Sequence, residues 1–151
     1  MFGSSRNAAR AYSQVGLETG VTAASPHQLI KMLFDGASLA IVKAKQYMLE
    51  GDVIEKGQAI SKAIQIIESG LRTGLNFEAG GELAQNLNGL YSYMTQQLLQ
   101  ANLNNQVELL DEVYQLISEI KLAWEAIDPH SQSMQLDSGN NAIATPKFAG
   151  A

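Results

Sequence analysis

The sequence has no cysteine, and its 151 residues include only three prolines, two histidines and one tryptophan. Without cysteine the chain has no disulfides, no thiolate metal ligands and no thiol nucleophile. No apolar run approaches the roughly 20 residues that a membrane-spanning helix requires. The first residues lack the apolar core of a secretory signal. We therefore expect a cytoplasmic protein that needs no metal or cofactor and does not insert into a membrane.

Positive charge is also scarce. The sequence has ten basic and fifteen acidic residues, which gives a net charge of −5. Proteins that bind nucleic acids neutralise phosphates with clustered Lys and Arg side chains. On the first long helix the nearest approach to a cluster is the pair Lys43 and Lys45, which is too little to hold a phosphate backbone. The composition therefore predicts no nucleic-acid partner.

What the sequence does contain is a sharp helix start at Ser25. Ser25 is a suitable cap, Pro26 suits the first helical position, and Gln28 is placed to bond back to the cap residue. An apolar stripe at helical spacing follows, made of Leu29, Ile30, Leu33, Phe34 and Ala37. The pattern predicts a first helix from Pro26 to about Glu50, on which the rest of the chain packs.

Three more helices follow at short intervals. The second has a bundle-type seam of Val53, Gly57, Ile60, Ile64, Ile67, Leu71 and Gly74. Within this seam, Gly57 is expected to let a neighbouring helix approach closely. A break at residues 76–81 leads into a third helix from about Glu82. Asn105 is expected to cap a fourth helix, which must stop before Pro129.

These elements predict an all-α protein, an antiparallel up-down-up-down four-helix bundle over residues 25–128. The expected core includes Leu33, Ile64, Tyr91 and Ile117. Residues 1–24 are small and polar, and we interpret them as a mobile N-terminal arm with one short helix. Residues 129–151 are rich in Ser, Gln, Asn and Gly without periodicity, which is typical of a disordered tail.

Residues that carry chemistry are few, and they form no recognisable catalytic set. His27 is placed in the first turn of the first helix. We interpret it as an exposed residue, because a phosphoacceptor histidine is expected in the middle of a helix. Glu78 and Glu82 flank the break at Gly80-Gly81, where the helix macrodipole already explains acidic residues. The sequence therefore predicts that the protein is not an enzyme.

Several apolar residues point away from the apolar stripe of their own helix when about 100° is allowed per residue. The candidates for a binding groove are Met32, Leu39, Val42, Ile66, Tyr93, Leu99 and Leu122. Isolated exposed apolar residues are normal, and the chain's own N-terminal arm is a second explanation. An amphipathic partner helix laid in a groove is the third. The number of apolar residues that point away from the predicted core favours a helical module that binds a partner.

Short motifs along most of the chain carry a family resemblance. They are Ala11-Tyr12, Thr22 to Pro26, Leu29 to Ala37, Gly57 to Ala63, Gly80 to Leu87, Leu90-Tyr91, Tyr93-Met94, Ala101-Asn102 and Trp124. Taken together over residues 8–127, the sequence resembles the FliS family, the flagellar secretion chaperones. The combination of the Ser-Pro-x-x-Leu-Ile start with Gly-Gly-Glu is specific, whereas any one motif alone is weak.

This resemblance implies a chaperone that binds the C-terminal helical segment of flagellin and prevents its premature polymerisation. It implies delivery of flagellin to the flagellar type III export gate, where the family contacts FlhA. It also implies an export-gate or regulatory role for the N-terminal arm, with Ala9 and Tyr12 as candidate residues. Two alternatives stay open: a phosphotransfer or signalling bundle that uses His27, and a structural bundle that associates with itself.

Overall fold

The computed structural model describes residues 24–127. The helices are α1 (Pro26–Glu50), α2 (Val53–Gln65), α3 (Phe77–Asn104) and α4 (Val107–Ala126), and α2 continues directly into a π-helical segment, Ile66–Arg72. No strand occurs within these described residues. The prediction of an all-α four-helix bundle is confirmed. Nearly all of the predicted arm and the whole predicted tail lie outside the described residues.

The start and end of α1 follow from local chemistry. The backbone N–H of Gln28 donates to Ser25 Oγ over 3.2 Å, and the Gln28 side chain accepts from the Ser25 N–H over 3.3 Å. These two bonds form the predicted capping box. Gly51 ends the helix in the left-handed conformation, with φ 78°, where a side chain would be strained. Asp52 then caps α2 by accepting from the Glu55 N–H over 3.3 Å.

Ion pairs fix the direction and register of α1 and α4. The pairs are Lys31–Glu125, Asp35–Lys121 and Lys45–Asp111. Each step forward along α1 is matched by an equal step backward along α4, so the two helices are antiparallel in one constant register. The hydrogen bond to Asp35 raises the pKa of Lys121. All three pairs lie at the surface, where they define register more than they add stability.

A polar network joins the π-helical segment to α3. Arg72 donates to Glu68 over 2.8 Å and to Asn88 Oδ1 over 2.6 Å, and the Thr95 hydroxyl donates to Glu68 over 2.8 Å. Glu68 contacts Thr95, and Arg72, four residues later, contacts Asn88, which comes earlier in α3. The α2 to α3 connection is therefore antiparallel as well, which completes the up-down-up-down order.

The interior of the bundle is apolar and receives residues from all four helices. Side chains with no exposed surface include Leu33, Ala63, Ile66, Ile67, Met94, Leu98, Leu110, Val113 and Ile117. Of the four predicted core residues, Leu33, Tyr91 and Ile117 are buried as expected, whereas Ile64 is half-buried at the edge. Helix α1 supplies eight buried residues, in agreement with its predicted central role.

The π-helical segment overturns one prediction from the sequence. Ile66 was expected to be exposed, but it is fully buried beside Ile67. The buried residues of α2 are Lys56, Ile60 and Ala63. The core side of this helix is therefore rotated away from the predicted seam, and Ile66 continues that side three residues after Ala63. Gly70 lies in the π-helical segment, where an added Cβ would be 3.0 Å from Leu33 Cδ2. The close approach of α1 therefore favours glycine at this position, because any larger residue would make the Leu33 side chain shift.

Two helix boundaries also differ from expectation. Helix α3 begins at Phe77, about one turn early, because Asn76 accepts from the Ala79 N–H over 3.0 Å. The predicted break survives as a kink at Gly81, whose φ of 52° and ψ of −127° are not helical. Asn105 does not cap α4; it adopts φ 52° and ends α3, so Gln106 takes the cap position.

Candidate protein-binding surface

The described residues contain no group of three or more His, Asp or Glu side chains that suits a metal ion. None of the helices of that part of the chain is long and apolar enough to cross a membrane. The feature that remains to be explained is the number of large apolar side chains on the surface. We therefore treat the exposed apolar surface as the candidate functional site.

Five of the seven predicted groove residues are exposed, namely Leu39, Val42, Tyr93, Leu99 and Leu122. Leu122 has the largest exposed fraction of the five, 67%. Met32 is half-buried and packs against the core. Ile66, at 0% exposed, belongs to the interior, so its assignment to a binding groove is wrong. The two remaining candidates, Ala9 and Tyr12, lie outside the described residues.

The α1–α4 face contains two of the exposed candidates. Val42 lies three residues before Lys45 on α1, and Tyr114 lies three residues after Asp111 on α4. Because the register is constant, these two residues lie opposite each other. Both side chains are exposed, and ion pairs lie on either side of them. Leu39 lies one turn along the outer side of α1 from Val42. This face is therefore a short apolar strip between charged pairs.

Tyr93 lies on the neighbouring face of the bundle, at the α3–α4 seam. Its hydroxyl donates to Glu112 Oε2 over 2.6 Å, and Gln97 donates to the other carboxylate oxygen over 3.1 Å. This hydrogen bond to Glu112 raises the pKa of Tyr93. The phenol is therefore held as a donor while its ring stays open to solvent. Such an aromatic side chain, fixed at one end, is a good contact for a partner.

Leu99 occupies the side of α3 that faces α2. It lies four residues after Thr95 and three before Asn102, and both of these residues contact the α2 side of the bundle. One turn further along α3 lies Leu103, which is still more exposed. The five exposed candidates are thus spread over three helices and more than one face. They do not line a single groove between two helices.

Periodicity also places Leu49 away from the apolar stripe of α1, and it is exposed. Further exposed apolar residues were not predicted, namely Val53, Ile54, Phe77, Leu83, Leu103, Tyr114 and Ile127. Val53 was predicted to lie in the seam of α2, yet 67% of it is exposed. Val53 lies on the outer side of α2 together with Gly57, one turn further along, so this part of the predicted seam faces solvent. Others, such as Phe77 and Leu103, lie at the ends of α3, and proximity to a helix end is the signal that finds them.

A shallow groove runs along the outer side of α2. It has a volume of about 490 Å³ and is lined by Val53, Ile54, Gly57, Gln58, Ser61, Lys62 and Gln65. An added Cβ at Gly57 would meet nothing within 4 Å. The expectation that Gly57 admits a neighbouring helix is therefore wrong, because this glycine faces the open groove. The groove is apolar at the Val53 end and polar at the Gln65 end.

His27 is not the freely exposed residue that the sequence suggested. Its ring stacks on Trp124 with centroids 4.5 Å apart and planes 9° from parallel. The Trp124 Nε1–H donates to the His27 backbone carbonyl over 3.0 Å. These contacts join the first turn of α1 to the end of α4. The stacked position explains His27 as a structural residue and gives no support to phosphotransfer.

Comparison with known proteins agrees with this architecture. The family model described as "Flagellar protein FliS" matches residues 8–131. The flagellar secretion chaperone FliS of Salmonella typhimurium is 54% identical over 120 residues, 80% of this chain and 89% of its own length. That of Escherichia coli is 49% identical over 116 residues, 77% and 85% of the two chains. That of Vibrio cholerae is 40% identical over 129 residues, 85% and 94%. These matches agree with the prediction of a chaperone rather than an enzyme, and the chain belongs to the FliS family of flagellar secretion chaperones.

Proposed function

We propose that this protein binds the C-terminal helical segment of flagellin in the cytoplasm, prevents its premature polymerisation and delivers it to the flagellar type III export gate. The observation that carries the proposal is the exposed apolar surface of Leu39, Val42, Tyr93, Leu99 and Leu122 in a member of a secretion chaperone family. Each of these residues alone would be ordinary, but together they give an extended segment of cargo several apolar contacts around the bundle.

The distribution of these residues suggests how the cargo binds. Because they occupy more than one face of the bundle, a segment that contacts all of them passes around the bundle rather than along one groove. An amphipathic segment that folds as it binds gives up about 2–5 kcal/mol in ordering and buries on the order of 1,000–3,000 Å². Covering its apolar face in this way would keep flagellin subunits from associating.

Binding of this kind requires no nucleotide. A partner that binds only the ordered cargo shifts the equilibrium by mass action. Release then requires a competing contact, and we propose that the export gate protein FlhA provides it. The N-terminal arm, with Ala9 and Tyr12, is the proposed element for that export-gate or regulatory contact.

The test is isothermal titration of a flagellin C-terminal fragment with the double variant Leu99→Asp, Leu122→Asp. Both side chains are exposed, so the variant should fold with an unchanged circular dichroism spectrum. We expect Kd to rise at least about tenfold, because carboxylates would replace apolar contacts.

A matched control is Leu83→Asp, which puts the same charge on an exposed leucine outside the proposed site. The control variant should keep the affinity of the unmodified protein. Unchanged affinity of the double variant would reject this binding surface, and failure of the unmodified protein to bind the fragment would reject the proposed cargo.

A further inference from the structure

The most exposed apolar residues gather at one end of the bundle. The turn between α1 and α2 and the turn between α3 and α4 lie at this end, which we call the turn end. Its large apolar residues are Leu49, Val53, Ile54 and Leu103, named here the turn-end patch. Leu103 is 77% exposed, more than any other large apolar residue that the structure describes. None of the four belongs to the proposed flagellin site.

A buried lysine holds the two turns together. Lys56 is only 5% exposed, and its ammonium donates to the Asn102 carbonyl over 3.0 Å and to Asn105 Oδ1 over 2.7 Å. Val53 lies one turn before Lys56, and Leu103 follows Asn102 directly. The contact therefore positions apolar residues of α2 and α3 relative to one another. The patch is a fixed surface rather than a set of loose side chains.

The rim of the patch is acidic. Glu50, Asp52, Glu55 and Glu108 lie at the turn end. The lysines nearby are already engaged, since Lys45 pairs with Asp111 over 2.9 Å and Lys56 is buried. Three of these acidic residues cap or begin a helix, where the macrodipole favours them. Glu50 is different, because it is the last residue of α1 and the macrodipole disfavours a negative charge there.

The patch continues into the shallow groove of α2. Val53 and Ile54 belong to both, and Gly57 and Ser61 extend the groove away from the turn end. From Val53 to Gln65 the groove follows α2 for about 18 Å, which corresponds to roughly three turns of a second helix. The lack of a side chain at Gly57 leaves open space for such a helix.

We propose that the turn-end patch is a second docking site, which binds a basic amphipathic helix of a protein partner distinct from the cargo. The apolar side of that helix would cover Ile54 and Leu103. Its Lys or Arg side chains would lie against the acidic rim. The exposed apolar residues supply the contact area, and the acidic side chains of the rim select a partner of opposite charge. This inference does not depend on the proposed flagellin site.

The test uses two synthetic peptides of about 18 residues, or roughly five helical turns. The basic peptide carries leucines at i, i+3 and i+4 spacing with flanking lysines, and the acidic peptide carries glutamates in place of the lysines. Fluorescence anisotropy at two salt concentrations measures their binding to the full-length protein. We expect only the basic peptide to bind, with an affinity that falls as salt rises.

Two variants test the two components of the site. Ile54→Ser, Leu103→Ser should raise Kd for the basic peptide at least about tenfold. Glu50→Gln, Glu55→Gln should raise it about threefold or more and reduce its salt dependence. The matched control is Leu83→Ser, Ile127→Ser, since these two exposed leucine and isoleucine side chains lie at the opposite end of the bundle. The control should bind like the unmodified protein.

Equal binding of the acidic peptide would overturn the proposal, as would equal losses in the control and in Ile54→Ser, Leu103→Ser. The same variants are titrated with the flagellin fragment. If Ile54→Ser, Leu103→Ser also abolishes flagellin binding, the patch belongs to the cargo site and the second partner is rejected. If flagellin fails to bind the unmodified protein while the basic peptide results hold, only the proposed function fails.

Discussion

The two lateral halves of the bundle are held together by different means. Between α1 and α4, three exposed ion pairs lie along the two helices, and the contact of His27 with Trp124 lies at one end. Between α2 and α3, the polar contacts are partly buried hydrogen bonds from Arg72 and from the buried Lys56. Exposed pairs contribute little stability and weaken with salt, whereas buried polar groups are costly to leave without partners. We therefore expect stability to depend more on the α2–α3 half.

The same contrast bears on function. On the α1–α4 face, the charged pairs leave only a narrow apolar strip around Val42 and Tyr114. On the α2–α3 side, charge is absent from α3 between Glu82 and its end, and Leu99 and Leu103 are exposed. An uncharged surface permits a partner helix to approach without desolvating fixed charges. The half with the more buried polar contacts thus also presents the more accessible apolar surface.

The largest effect should come from the π-helical segment. Ile66→Ala removes a fully buried side chain and should lower the free energy of unfolding by about 2–5 kcal/mol. Urea denaturation followed by circular dichroism measures this difference. Leu39→Ala is the control, because half of that side chain is exposed and its substitution should change stability by no more than about 0.5 kcal/mol. Equal effects of the two substitutions would show that the side chain of Ile66 is not buried in solution.

The burial of Ile66 was not predicted from the sequence, whereas other features of the helices were. The α1 start was predictable because Ser25, Pro26 and Gln28 act within one turn. The core side of α2 was not predictable, since Val53 and Gly57 fit the apolar seam as well as Ile60 does, yet they line the outer groove. The kink at Gly81 was predicted, but the helical turn that precedes it depends on Asn76 as a cap.

The candidate surface was only partly predictable for a related reason. Leu39 and Leu122 lie opposite the core stripe of long helices, where periodicity alone shows that they are exposed. Phe77 and Leu103 lie near helix ends, where exposure depends on how far neighbouring helices extend. The hydrogen bond from Tyr93 to Glu112 depends on the register between α3 and α4. The apolar pattern of a single helix carries no information about that register.

A smaller effect should distinguish the two kinds of polar contact. Lys56→Met keeps the length of the side chain but removes the donor to Asn102 and Asn105. We expect it to lower the free energy of unfolding by about 1–3 kcal/mol. Lys45→Met removes an exposed ion pair and should cost no more than about 1 kcal/mol. Urea denaturation of both variants, at low and high salt, makes the comparison, and only the loss in Lys45→Met should shrink as salt rises. A neutral or stabilising Lys56→Met would mean that α2 and α3 are held by apolar packing alone.

The smallest effect concerns Tyr93, whose bond to Glu112 joins α3 to α4. Because this bond raises the pKa of Tyr93 above the usual value of 10.0, the phenol favours its neutral form in the folded protein. Its contribution to stability is therefore present below pH 10.0 and is lost as the pH rises through the raised pKa.

Glu112→Gln keeps the shape of the side chain but removes its charge, so the pKa of Tyr93 should move down toward its usual value. Titration by ring-carbon NMR resolves Tyr93 from the other four tyrosines. The ring signals of Tyr114, which lies on the other face of α4, serve as an internal control that the fold is unchanged. If Tyr93 titrates identically in both proteins, the hydroxyl is free in solution, and a partner would meet a mobile ring instead of one fixed against α4.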